Sequence, residues 1–412
     1  VRKSLHLFEG YGIELEYMLV RRDTLDVLPV SDEVLRSRAG RYVNEVQSGP
    51  ASWSNEFMLH VMEIKNSDPV PSLAGLARMF QEQVALINRR LEPLGGMLMP
   101  SGMHPWMSPA SEARLWPHRN RTIYETYDRI FGCRTHGFAN IQSMQINISF
   151  RGDQEMGRLH AAVRLLLPLV PALAASSPIV EGRLTGSMDS RILHYRANQR
   201  LVPSISGSLI PEAVYTRAEY RRRVLGPMFS DIGAYDGAGT LRHEWLNSRG
   251  AVPRFGRSAM EIRLVDAQEC PLSDLAAAMA IVAVLKGLSS GRWLSFEEQA
   301  GWPLEPLLEV LDATVRRGEE AVIRDSRYLK AFGYPEPHAK AVEVWRYLAG
   351  EVLAPAGAAD QELLGALRVM LDSGPLARRI LKAAGGAPSE ARLREVYGKL
   401  CRCLAEGVPF EV

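Results

Sequence analysis

"GYGIELEYML", residues 10–19, decides how the rest of the chain is read. Its side chains alternate with the period of two expected of a strand. Ile13, Leu15, Tyr17 and Leu19 fall on one face, and Gly12, Glu14, Glu16 and Met18 on the other. One face is apolar and suited to a core. The other sets two carboxylates side by side. At about 4 Å, in an effective dielectric of about 20, their repulsion comes to roughly 4 kcal/mol. Such a pair either faces bulk water or surrounds something positive.

Three further segments share the design. In "SMQINISF", residues 143–150, Met144, Ile146, Ile148 and Phe150 oppose Ser143, Gln145, Asn147 and Ser149. In "AMEIRLVD", residues 259–266, Met260, Ile262 and Leu264 oppose Glu261 and Arg263. "VMEIK", residues 61–65, puts Glu63 on the face of Val61 and Lys65. Strict alternation sets Glu56 and Glu63 on opposite faces, so Glu56 joins the others only through a turn or bulge. For any one pair, a solvated sheet face is the ordinary reading. Taken together, carboxylates and amides dominate this face. An oxygen-rich surface of that kind suits Mg²⁺ or Mn²⁺, which would cancel the repulsion and could hold a polyphosphate.

Around these strands the pattern predicts a strand over 56–66 after a turn at "SGPASWSN". A helix follows, with Leu73, Leu76, Ala77, Phe80, Val84, Ile87 and Leu91 as its stripe. Residues 97–107 read as a strand running into a loop, and 119–131 as helix. Residues 157–176 read as a helix interrupted by Pro168 and Pro171. Residues 177–257 read as irregular, and 271–412 as helices. The order is not βαβα, which argues against a doubly wound nucleotide fold.

Composition narrows the function classes. The chain has 412 residues, 46% hydrophobic and 23% charged, with 49 basic and 47 acidic residues and a net charge of +2. That balance points to neither nucleic acid nor an anionic membrane as partner. Four scattered cysteines, two of them in a lone CxC at Cys401 and Cys403, read as reduced thiols. The longest strongly apolar run, "LLLPLVPALAA" at 165–175, holds two prolines and falls short of the ~20 residues a membrane span needs. The opening "VRKSLHLFEG" has no apolar core segment. A cytoplasmic protein is expected. No GxxxxGK[ST] or GxGxxG loop occurs, and "GLSSG" at 287–291 follows an apolar stretch of helix rather than a strand. "HEWLN" at 243 lacks a second zincin histidine. His104 reads as core or loop packing. Asn120 and Asn147 sit in glycosylation sequons, but Asn147 lies mid-strand.

Several stretches, in this order, carry a family likeness: "GIELE", "HVMEIKN", "SGMHPW", "SMQINISF", "AASSPIVEGRLTG" followed by "DSR", and "MEIRLVDAQECP". Over residues 10–285 the chain resembles the second glutamate–cysteine ligase family, carboxylate–amine ligases related to glutamine synthetase. The resemblance implies an α+β fold. A curved, mainly antiparallel catalytic sheet of about six strands would form a funnel backed by helices. Residues 1–289 would be the catalytic domain, with a helical region over 290–412 packed on it. It implies ATP and divalent ions, Mg²⁺ or Mn²⁺, as cofactors, and a small-molecule acid and amine as partners. Homo-oligomerisation is left open. The γ-carboxylate of glutamate would be phosphorylated, and an amine would then displace phosphate.

Position by position, the resemblance makes Glu14, Glu16, Glu63 and Glu261 metal carboxylates, with Glu56 an upstream partner and candidate proton acceptor. Arg263 would bind the phosphoryl group and Arg249 would act in catalysis. Arg191, Gln145 and Asn147 would stand with Arg263 around the nucleotide. Many relatives carry HVHV where this chain has Gln145-Ile146-Asn147-Ile148, and a neutral amide is a weaker metal ligand than imidazole. Two alternatives share the fold: a small-molecule or guanidino kinase, and a catalytically silent ATP-binding protein.

Overall fold

The computed structural model describes residues 5–353 and 360–412. Residues 1–4 of the opening stretch and 354–359 of the helical region lie outside the described residues. The alternating segments form one sheet, wider than the six strands expected. Its strands are β1 (Tyr11–Arg21), β2 (Glu45–Ser48), β3 (Ala51–Asn55), β4 (Val61–Asn66), β5 (Gly96–Met99), β6 (Ser143–Ser149), β7 (Ala251–Arg254) and β8 (Ala259–Asp266). The order is β2-β3-β4-β1-β6-β8-β7, every pair is antiparallel, and β5 pairs with the far end of β1 on the edge β6 uses.

The added strands lie where turn residues hid them. β2 and β3 form a hairpin closed at Gly49, whose φ of 64° suits glycine, so "SGPASWSN" is mostly strand. The strand expected over 56–66 begins only at Val61; residues 56–60 are loop and turn. β7 contains Pro253, which donates nothing to a ladder, and β7 is accordingly an edge strand.

Helices bury the apolar face of the sheet. Helix α1 (Leu76–Leu91) packs there through Phe80, Val84, Ile87 and Leu91, all fully buried. Helix α2 (Arg121–Phe131) covers part of the opposite, polar side. Helix α3 (Gly152–Leu166) continues through turns at Pro168 and Pro171. Helix α4 (Pro271–Ser289) packs against both α1 and α3, and the Tyr17 hydroxyl donates to its Asp274 at 3.0 Å. By length and composition, Gly152–Ala174 and Pro271–Ser289 could each cross a membrane, but 94% and 78% of their apolar windows are buried inside the fold. They are where core helices belong. Helices after residue 290 pack on α4 and on α3's continuation, within the same hydrophobic core. A two-stranded pair, Val322–Ile323 with Ala339–Lys340, interrupts this helical region. All four cysteines are free.

Candidate active site

Register brings the polar residues together. Glu14 lies opposite Lys65 on one side and Gln145 on the other. Glu16 faces Glu63, which faces Ser54 on β3. Asn147 is flanked by Gly12 and Glu261. Strands β1, β4 and β8 therefore place Glu14, Glu16, Glu63 and Glu261 on one face. Glu56 joins them as alternation required, through the turn between β3 and β4. Carboxylate oxygens of Glu16, Glu56 and Glu63 lie within 4.8 Å of one another.

Five acids on one face persist because most are individually satisfied. Glu16 accepts from the Ser143 N–H at 2.8 Å, the Ser143 hydroxyl at 3.1 Å and Gln145 Nε2 at 2.8 Å. Glu63 accepts from the Ser54 hydroxyl at 2.5 Å and Lys65 Nζ at 2.9 Å. Glu261 is clasped by Arg254 through two 2.7 Å bonds, with Arg263 Nε at 3.3 Å. Glu14 has less: Asn147 Nδ2 at 3.0 Å and Arg257 at 4.0 Å.

Proton affinities divide accordingly. Burial, then Glu63 and Glu261, push Glu14 well above the carboxylate range. Burial, then Glu16, Glu63 and Glu14, do the same to Glu56. Burial and Glu63 raise Glu16. Burial also pushes Glu63 and Glu261 upward, but Lys65 and Ser54 outweigh it at the first and Arg254 at the second, leaving both below the usual value. Protons are thus held more tightly at Glu14 and Glu56 than at Glu63 and Glu261.

The arginines separate into two groups. Arg263 lies where the β8–β6 register slips between Ile262 and Val265, yet its side chain still lines the cleft, with Nη1 donating to the Asn247 carbonyl at 3.3 Å. Arg191 also lines the cleft; its Nε donates to Asp266 and its Nη2 to the Arg263 carbonyl at 3.4 Å. Arg249 is not brought there. Its guanidinium grips Glu212 at 2.5 and 2.6 Å and the carbonyls of Ser204 and Ile205 at 3.1 and 3.2 Å.

Sequence reading missed Arg254, Arg257 and Asp266. Asp266 is fully buried and accepts from the Ser176 N–H and the Ser177 hydroxyl, both at 2.8 Å, as well as from Arg191. A Cβ on Gly102 would stand 2.5 Å from its carboxylate. "SGMHPW", "AASSP", "DSR" and "RLVD" thus meet at one carboxylate beneath the cleft. The signal was a carboxylate out of place: by the β8 alternation Asp266 falls in line with Met260, Ile262 and Leu264 on the apolar face. Arg254 was masked by the proline beside it.

A cavity of ≈ 280 Å³ opens between the acidic face and α2. Glu16, Glu56, Arg191 and Arg263 form its polar wall, and aromatic rings form the other.

The model of the glutamate–cysteine ligase family 2 matches residues 11–397. The chain belongs to this family. The match runs past residue 285, where the motif likeness ends, and takes in most of the helical region. An uncharacterized protein of Archaeoglobus fulgidus is 37% identical over 75% of this chain and 80% of its own. The solved glutamate–cysteine ligase of Francisella tularensis, in complex with AMP, superposes over 98% of this chain and 90% of its own, with a TM-score of 0.63 at 12% identity. A bifunctional glutathione synthetase from Pasteurella multocida superposes over 97% of this chain and 53% of its own, with a TM-score of 0.64 at 12% identity. At that identity the likeness is one of fold.

Proposed function

We propose that the protein is an ATP-dependent carboxylate–amine ligase. It phosphorylates a carboxylate, by family likeness the γ-carboxylate of glutamate, and joins the acyl group to an amine with release of ADP and phosphate. One observation carries this reading: Glu16, Glu56 and Glu63 converge within 4.8 Å on a cleft that Arg191 and Arg263 also line. A carboxylate is a poor acyl donor, and phosphorylation supplies a leaving group. Phosphoryl transfer needs positioned cations more than a nucleophilic side chain. The AMP bound to the Francisella tularensis ligase supports a nucleotide as substrate.

The donor set fits hard divalent cations. Glu14, Glu16, Glu63 and Glu261 would hold Mg²⁺ or Mn²⁺, and Asn147 Oδ1, buried and without a protein partner among the described residues, is a further oxygen donor. The ions, when bound, supply Lewis-acid charge and orientation to phosphate oxygens. Gln145 and Asn147 act differently from imidazoles here, since their amide N–H groups hold Glu16 and Glu14 in place. Arg263 presents a forked, permanently charged group to the phosphoryl. Arg191, anchored by Asp266, supports it. Glu56, whose proton affinity is raised, is suited to accept a proton from the amine.

The test is a phosphate-release screen with Mg·ATP, glutamate and other acids, and a panel of amines. Phosphate should appear in step with amide. Phosphate-free formation of a stable phospho-product would assign a kinase instead, and a broad panel giving neither product overturns the reading.

A further inference from the structure

The proposed phosphoryl transfer leaves the aromatic wall of the cleft without a role. Phe57 follows Glu56 directly. Its ring centroid lies 5.1 Å from Tyr124 and 5.7 Å from Tyr127 of α2. Tyr127 in turn lies 5.6 Å from Phe138 and 6.2 Å from Trp245. Four separate segments contribute to this surface, and all its rings but Tyr127 are only partly buried and line the cavity. Apolar surface left open inside a cleft gains free energy when a ligand's hydrocarbon displaces its water. A second observation concerns Gln199, 2% exposed on the same cavity. Its Nε2 donates to the Tyr127 and Ser248 hydroxyl oxygens at 3.3 Å each, while its Oε1 has no partner among the described residues. Gln199 sits at the hydroxyl end of Tyr127 and bounds the apolar wall there.

We infer that the amine joined by this ligase is a bulky apolar one, an arylalkylamine or branched alkylamine, with its hydrocarbon against the Phe57–Tyr124–Tyr127–Phe138–Trp245 wall. The inference rests on the ligase reading and names its second substrate. Adenine is the competing occupant, since bases also stack on aromatics. It fits poorly, because Glu16, Glu56, Arg191 and Arg263 line the same cavity as the rings. In ATP the base is separated from the reacting phosphorus by a ribose and two further phosphates. In an amine the reacting nitrogen and the hydrocarbon are neighbours. The nitrogen would stand at Glu56 and the hydrocarbon at Phe57, one residue on.

The step balances without a further reactant. The ammonium gives a proton to solvent as the amine enters the cleft. The freed lone pair attacks the acyl carbon, the C–N bond forms, and the C–O bond breaks with its electron pair leaving on inorganic phosphate. The remaining excess proton on nitrogen passes to solvent. Glycine or cysteine would leave most of the wall uncovered. Each methylene in an apolar pocket is worth roughly 10- to 200-fold in discrimination.

The experiment first separates this inference from the reading beneath it. Hydroxylamine, too small to need the wall, traps an acyl phosphate as hydroxamate with Mg·ATP and a panel of acids. With the acid so found, kcat/KM is compared for phenethylamine, isopentylamine, glycine and cysteine. Phenethylamine should exceed glycine by about 100-fold or more, and exceed cysteine. Trp245→Ala should shift the phenethylamine-to-hydroxylamine ratio toward hydroxylamine by about tenfold. Ile123→Trp, which narrows the cavity from α2 without emptying the core, should shift it the same way. Amide formation with glycine or cysteine at a kcat/KM matching that of phenethylamine overturns the inference and leaves the ligase reading standing. So does a rise in KM for ATP or for the acid, rather than for the amine, in either variant. Absence of hydroxamate with every acid overturns both.

Discussion

Glu14 and Glu16 sit two residues apart but should respond differently to loss of charge. Glu16 has three donors, whereas Glu14 has one amide and a distant arginine and is held toward protonation. For a carboxyl whose folded pKa is raised, the stabilising contribution is complete below the unfolded value of 4.5 and is lost as pH rises through the folded value. Glu14→Gln should therefore raise the cation-free Tm at pH 8, with the gain vanishing toward pH 4.5, while turnover collapses. An unchanged Tm at pH 8 would count against the repulsion. Arg263→Lys tests the phosphoryl role. An ammonium cannot reproduce a forked contact, and losing one preorganised charge contact in a transition state costs about 3 kcal/mol, a hundredfold in rate. Excess Mg²⁺ should not restore turnover. Much at this scale was legible. Glu14, Glu16, Glu63, Glu261 and Arg263 share a face because a period of two fixes it. Arg249 was not, because nothing local reveals that Glu212 occupies its guanidinium.

The β7–β8 hairpin is the element whose integrity the acidic face needs most. Arg254 on β7 neutralises Glu261, which is 3% exposed. Removing one partner of such a pair costs about 3–5 kcal/mol. Arg254→Gln should lower urea stability by an amount in that range, and adding Glu261→Gln should recover part of it. Full additivity of the two losses would show the clasp to be incidental. Elements were read correctly where apolar periodicity ran unbroken, as in β1, β6, β8 and α1. They were missed where a proline or glycine doubles as ladder residue and turn signal. Pro253 on an edge strand and Gly49-Pro50 in a hairpin are local exceptions that only the completed sheet explains.

For the whole molecule, buried titratable groups predict a domed stability profile. His60, His104 and His160 are each lowered by burial to about 4 from 6.5, so their contribution is present above pH 6.5 and lost as pH falls from there. Burial raises Asp274 to about 7, and burial with Asp266 raises Asp189 to about 8, so theirs is lost as pH rises through those values. Over these five groups alone the Tm peaks between pH 6 and 7 (about where the two losses balance), and the raised Glu14 and Glu56 steepen the fall toward alkaline pH. A monotonic rise to pH 9 would contradict this burial pattern. Stability is also shared along the chain. In the helical region, Arg379 donates to Glu269 at 2.6 Å and to the Phe410 carbonyl at 2.7 Å, and the Phe410 N–H donates to Glu269 at 3.0 Å. Glu269 follows β8 by three residues. During synthesis, the strand bearing Glu261 and Arg263 thus awaits a latch made hundreds of residues after β1. Until residue 410 clears the ribosome, the nascent chain holds a carboxylate and guanidinium short of partners, and it should stay protease-sensitive.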